Sequence, residues 1–223
     1  MLAVLSTKKL SENQRSLLLN ASISLVEYNA IKIEFVSFEV PSNIGNAIFT
    51  SQNAVKAVMS YELGVMSCFC VGEKTKSLLE ENGQKVIKMT EYASELADYL
   101  VKNHKNDSFH FFCGNIRSDE IPSILKENNI AFEEIEVYKT TLNPKKFERN
   151  FDAVLFFSPS GVRSFVEGNT NNNNIPAFAG MTKAVCIGTT TAQEAKKYTE
   201  NVVISNATTV ESVIAKAVKI LKK

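Results

Sequence analysis

The stretch VLFFSPSGVR, residues 154–163, begins as an apolar run fit for a buried strand and breaks into Ser158, Pro159, Ser160 and Gly161. Serine is a favoured N-cap, and proline at the first helical position gives up an amide that has no partner there. The stretch therefore predicts a strand that passes through a tight turn directly into a helix. In an open α/β sheet such junctions collect at one edge, and ligands bind beyond it. Whether the junction recurs decides the fold class.

It does recur. IFTSQNAVK at 48–56 resembles LFFSPSGVR at 155–163, with Ser51 opposite Ser158, and CVGEKT at 70–75 resembles CIGTTT at 186–191. Each pair is followed by a helix, a short β run (85–88; 202–205) and an amphipathic helix (92–102; 210–221). Between the copies lie FHFFCGN at 109–115, a helix over 122–128, and EIEVYKT at 134–140, which alternates apolar and polar as a strand does. That strand, helix, strand order repeats residues 1–40. There, residues 2–6 read as a strand, Ser11 and Gln14 form a capping box opening a helix that carries Leu17, Leu18 and Val26, and 31–40 alternate as one long strand. The chain reads as unit X, unit Y, unit X′, unit Y′: two similar α/β lobes with mainly parallel sheets flanked by helices. Whether X pairs with Y or with Y′ stays open.

Twenty-five basic and twenty-four acidic residues leave a net charge of +1, so no global field draws nucleic acid or an anionic membrane. No apolar run approaches the roughly 18 residues of a membrane span, and residues 1–5 are too short for a secretory leader, so the chain reads as cytosolic. Cys68, Cys70, Cys113 and Cys186 sit in strand-like runs and read as small buried apolar residues. His104 and His110 lack a partner motif for catalysis or metal binding. Residues 168–180, with four consecutive asparagines, read as a mobile loop with no part in activity.

Four junctions share the predicted edge: Thr50-Ser51, Gly72 through Thr75, Ser158 through Gly161, and Gly188-Thr189-Thr190-Thr191. Each offers backbone amides, hydroxyls and a helix N-terminus, a combination that suits oxyanions. No Gly-x-x-x-x-Gly-Lys-Ser/Thr, Gly-x-Gly-x-x-Gly or Gly-x-Ser-x-Gly motif is present, which argues against nucleotides and serine hydrolysis. A large ligand with several carboxylates fits this edge better.

At these residues the chain resembles the uroporphyrinogen-III synthase family. The matches are Phe49-Thr50-Ser51 with Ala54-Val55, Val71-Gly72 with Thr75, Cys113-Gly114-Asn115, Val137-Tyr138-Lys139-Thr140, Phe156 through Gly161, and Ile187-Gly188 with Thr190-Thr191, in order over nearly the whole chain. Gln52 and Thr189 stand where that family often has proline.

The resemblance implies that residues 1–35 and 143–223 form one lobe and 36–142 the other. The strands near 33–40 and 135–141 would link the lobes, with the substrate in the cleft between them. It implies cyclisation of hydroxymethylbilane to uroporphyrinogen III with inversion of the last ring through a spiro intermediate. No metal or organic cofactor is expected. The protein would be a monomer, meeting the preceding pathway enzyme at most transiently. Thr50, Ser51, Gly72, Thr75, Cys113, Gly114, Asn115, Ser158, Ser160, Gly161, Gly188, Thr189, Thr190 and Thr191 would bind the substrate's acetates and propionates. Tyr138, a phenol protonated at neutral pH, would be the general acid for the departing hydroxyl. The rival is a two-lobed, non-catalytic binding protein for a tetrapyrrole or polycarboxylate.

Overall fold

The computed structural model describes residues 1–61, 63–170 and 182–222. It divides into two compact units, Met1–Lys32 with Thr141–Lys223, and Ile33–Thr140. The chain passes between them twice.

The first unit holds β1 (Ala3–Ser6), α1 (Glu12–Leu19) and β2 (Ser24–Glu27) from the amino-terminal part of the chain. The carboxyl-terminal part adds β9 (Ala153–Phe156), α6 (Pro159–Asn169), β10 (Lys183–Cys186), α7 (Thr189–Ala195), β11 (Val202–Ile204) and α8 (Val210–Leu221). Its strands lie in the order β11-β10-β9-β1-β2, all parallel. The open pairing is thereby resolved, because β1 of X lies beside β9 of Y′.

The second unit carries β3 (Ile31–Phe35), β4 (Asn46–Phe49), α2 (Gln52–Val58), β5 (Ser67–Val71), α3 (Glu73–Glu81), β6 (Lys85–Thr90) and α4 (Ala93–Asn103). It continues with β7 (Ser108–Gly114), α5 (Glu120–Glu127) and β8 (Ala131–Leu142). The sheet order is β3-β8-β7-β4-β5-β6, with β7 of X′ parallel to β4 of Y. Apart from β3, each sheet is one doubly wound order, and in the second unit the chain enters it at a different strand.

Each sheet is covered on both faces. Val162 and Phe165 of α6 and Ala192 and Ala195 of α7 pack on Leu5, Val154 and Phe156; Leu18 of α1 and Val213 and Ile214 of α8 pack on the other face, against Val4 and Leu155. In the second unit α2 and α3 cover Phe49 and Phe112, while α4 and α5 cover Phe69, Phe109 and Phe111. Central strands buried on both sides explain the near-continuous apolar runs of the sequence.

Three expectations need correction. Val26 lies on β2, not on the first helix, which ends when Ser22 takes a positive φ of 54° and the Ile23 amide bonds back to Leu18 O at 3.1 Å. The X′ copy uses the same stop, with Asn129 at φ 55° and Ile130 N–H donating to Leu125 O at 3.0 Å. The strand expected over 31–40 ends at Phe35, after which Phe38 turns in to pack on Tyr61 and Phe112. The loop expected from 168 does not begin there. Gly168 and Asn169 end α6, and Asn169 holds segment 145–147 by accepting from Phe147 N–H and donating to Lys145 O, at 2.9 and 2.8 Å. A Cβ on Gly168 would fall 2.6 Å from the Lys145 backbone nitrogen, so the close approach requires glycine. Residues 171–180, on which the expected mobility rested, lie outside the described residues.

Candidate functional site

The four junctions fall at the carboxyl ends of β4, β5, β9 and β10. Ser158 is the N-cap of α6, its Oγ accepting from Gly161 N–H at 3.0 Å, with Pro159 beginning the helix. Gly161 packs close beneath the neighbouring turn: a Cβ there would sit 3.3 Å from Ser158 Oγ and 3.4 Å from Thr7 Oγ1. Ser51 caps α2 in the same way, accepting from Asn53 N–H at 3.1 Å. Gly72 and Gly188 are the caps of α3 and α7, and neither helix has a side-chain cap bond. Among the described residues no hydroxyl takes their first-turn amides. Gly72 needs its glycine, because its φ is +87°.

The expected binding residues separate by what their side chains already do. Thr75, Ser160 and Thr191 are buried. The oxygens of Ser51 and Ser158 are occupied as caps. Asn115 uses both ends of its amide to extend β7, Oδ1 accepting from Thr140 N–H at 2.8 Å and Nδ2 donating to Thr140 O at 3.3 Å. Thr189 and Thr190 are exposed and Thr50 is half-buried.

Tyr138 departs from the alternation seen in the sequence. Ile135 and Val137 point into the core and Glu134 and Glu136 outward, so Tyr138 should point outward as well. It is instead 7% exposed and packed in the same cluster as Val137, Phe49 and Phe112. A β-bulge is the cause: Cys113 pairs with Glu136 but Gly114 with Tyr138, so Val137 is passed over and two consecutive residues face one way. The ring lies over Gly114, where a Cβ would be 2.5 Å from Tyr138 Cζ.

Beside the bulge, Cys113, Gly114, Asn115, Arg117, Asp119, Glu134 and Glu136 line an open pocket of about 440 Å³. Arg117 is paired there with both Asp119 and Glu134. Burial pushes the Cys113 thiol up, and the Glu134 charge adds to it. All four cysteines are buried and free, as expected, and burial pushes Cys68 and Cys186 up to about 12 and Cys70 to about 11. Among the described residues no cluster of His, Cys, Asp and Glu is placed to hold a metal ion, and no helix is long and apolar enough to cross a membrane.

One cluster, between α6 and α7, has no counterpart in the sequence reading. Glu194 of α7 is 7% exposed and meets Arg163 Nη1 at 3.8 Å, Lys197 Nζ at 2.8 Å and Tyr198 OH at 3.4 Å. Arg163 Nη2 also donates to Ser160 Oγ at 3.2 Å.

Residues 14–215 match the family described as uroporphyrinogen-III synthase HemD. A porphyrin biosynthesis protein HemD from Ruminiclostridium josui is 28% identical over 200 residues, covering 79% of this chain and 38% of that protein. The chain thus spans about two fifths of the length of that curated relative. Among solved structures, uroporphyrinogen-III synthetase from Helicobacter pylori 26695 aligns over 99% of this chain and 100% of its own, with a TM-score of 0.71 at 16% identity. A mutant uroporphyrinogen III synthase from the extremely thermophilic bacterium Thermus thermophilus aligns over 100% and 99%, with a TM-score of 0.71 at 15% identity. At such identities the structures speak for the fold, and the match over residues 14–215 speaks for the family: this chain belongs to the uroporphyrinogen-III synthase family.

Proposed function

We propose that this chain cyclises hydroxymethylbilane to uroporphyrinogen III, inverting the last ring through a spiro intermediate. The observation that carries the proposal is the family match over residues 14–215. The chemistry of the sheet edges supports it. Amides and hydroxyls at strand and helix ends suit a ligand that bears acetate and propionate on every pyrrole, and backbone donors hold carboxylates without a basic patch.

The substrate's hydroxyl departs as water, taking a proton from the Tyr138 phenol, and leaves the terminal pyrrole as an azafulvenium cation beside the phenolate. The substituted carbon of the last ring attacks it to give the spiro intermediate, which fragments and recloses with that ring reversed. The proton lost from that ring on final closure restores the phenol. The linear substrate also closes unaided without inversion, so the protein's main task is to hold the fold of the chain that favours the spiro route. Such positioning can supply several kcal/mol, up to roughly 7 to 11 in the best intramolecular cases.

In this proposal Thr50, Thr189 and Thr190 contact substrate, whereas Ser51, Ser158 and Asn115 shape the turns that present backbone donors. The chain works as a cytoplasmic monomer and takes its substrate from the enzyme that makes it. The test supplies hydroxymethylbilane generated in situ and separates the oxidised porphyrin isomers by chromatography. Type III product is expected, and type I alone would overturn the proposal.

A further inference from the structure

The repeat makes Glu194 conspicuous. Counted six residues on from the cap glycines Gly188 and Gly72, Glu194 corresponds to Leu78, which packs against the second unit's core. At this place the second unit carries a half-buried apolar residue, and the first unit puts a buried carboxylate there instead. Taking a charge out of water is costly unless partners compensate for it. Here the partners are Arg163, Lys197 and Tyr198. A charge kept at an apolar position of a repeat points to use rather than to packing.

What Glu194 does to Arg163 shows the use. Arg163 stands five residues after the cap Ser158, as Lys56 does after Ser51, so both units carry a cation at this place. Lys56 is exposed, with no ion pair among the described residues. Arg163 is held from two sides, by Glu194 and by Ser160 Oγ, and its side chain keeps 38% of its surface open to solvent. A guanidinium fixed in this way loses little freedom when it takes an anion, and its planar fork matches a carboxylate.

We infer that Arg163 takes one carboxylate of the substrate at the turn after β9, and that Glu194 is its positioning residue. The inference rests on the proposed function and adds one fixed cation to a set of neutral donors.

The test measures KM and kcat for type III formation in Arg163→Met, Arg163→Lys and Glu194→Gln, with thermal melts of each. Arg163→Met is expected to raise KM roughly tenfold or more, the scale of a hydrogen bond to a charged group, with kcat within about twofold. Arg163→Lys should recover part of the loss, and Glu194→Gln should shift KM the same way by less. Glu194→Gln removes a buried charge from three partners and can disturb the fold, so Arg163→Met decides the question. An unchanged KM in Arg163→Met, beside a wild type that makes type III product, overturns the inference alone. A wild type that makes none overturns the proposed function and the inference with it.

Discussion

The ring of Tyr138 occupies the space where a side chain on Gly114 would begin, its Cζ 2.5 Å from the position of such a Cβ. The bulge between Cys113 and Gly114 turns Tyr138 inward, and the missing Cβ lets the ring settle. Gly114→Ala is therefore expected to push the ring out, at a cost of about 1–3 kcal/mol for overpacking. A urea titration should show the lower midpoint, and activity should fall with it.

Tyr138→Phe separates the phenol from the ring. The ring keeps its packing against Phe49 and Phe112, and Tyr138 OH makes no hydrogen bond among the described residues, so the melting temperature should hold within a few degrees. Turnover should fall by about a hundredfold if the phenol serves as the acid. Unchanged turnover would remove that role and leave the ring as packing.

Ser158 reads in the structure as a cap, its oxygen committed to the Gly161 amide. Ser158→Ala should cost about 1 kcal/mol of stability, as N-cap losses do. A variant that melts like the wild type but binds substrate poorly would instead make Ser158 a direct ligand.

The buried thiols set a pH dependence. Cys68, Cys70 and Cys186 hold their protons to about 12, 11 and 12, against 9.0 for an unburied thiol. Above pH 9 the unfolded chain releases protons that the folded chain keeps, so the unfolded state binds fewer and stability falls as pH rises. The loss should begin near 9 and continue towards 11 to 12, each thiol contributing at most about 1.4 kcal/mol per pH unit. Urea midpoints at pH 7, 9 and 10 check the sign, and a midpoint that rises above pH 9 would contradict it. Alkylation of the native protein at pH 8 should be slow at all four cysteines and fast after unfolding.

Much of the architecture is legible in the sequence because strands buried on both faces leave unbroken apolar runs, and caps such as Ser11, Ser51 and Ser158 mark helix starts by residue type. What escapes is backbone geometry with no residue-type signature. Ser22 and Asn129 stop helices in a conformation usually given to glycine, and the stop at Ser22 hid β2 behind a periodicity that runs on to Val26. The bulge at Gly114 cannot be inferred from spacing, which alone would turn Tyr138 outward with Glu136. The site is legible as a set of turns, but which hydroxyls are already occupied depends on distances. Glu194 went unnoticed because a glutamate in a short helix usually faces water; the repeat register from Gly188, compared with Gly72, could have flagged it.

The most direct measurement is the share of type III isomer formed from hydroxymethylbilane over a concentration series of this protein, starting from none. The share should rise from the level of spontaneous closure towards complete type III product as protein is added. A share that stays at the spontaneous level, with protein shown to be folded, would contradict the assignment of this chain as a cyclising synthase.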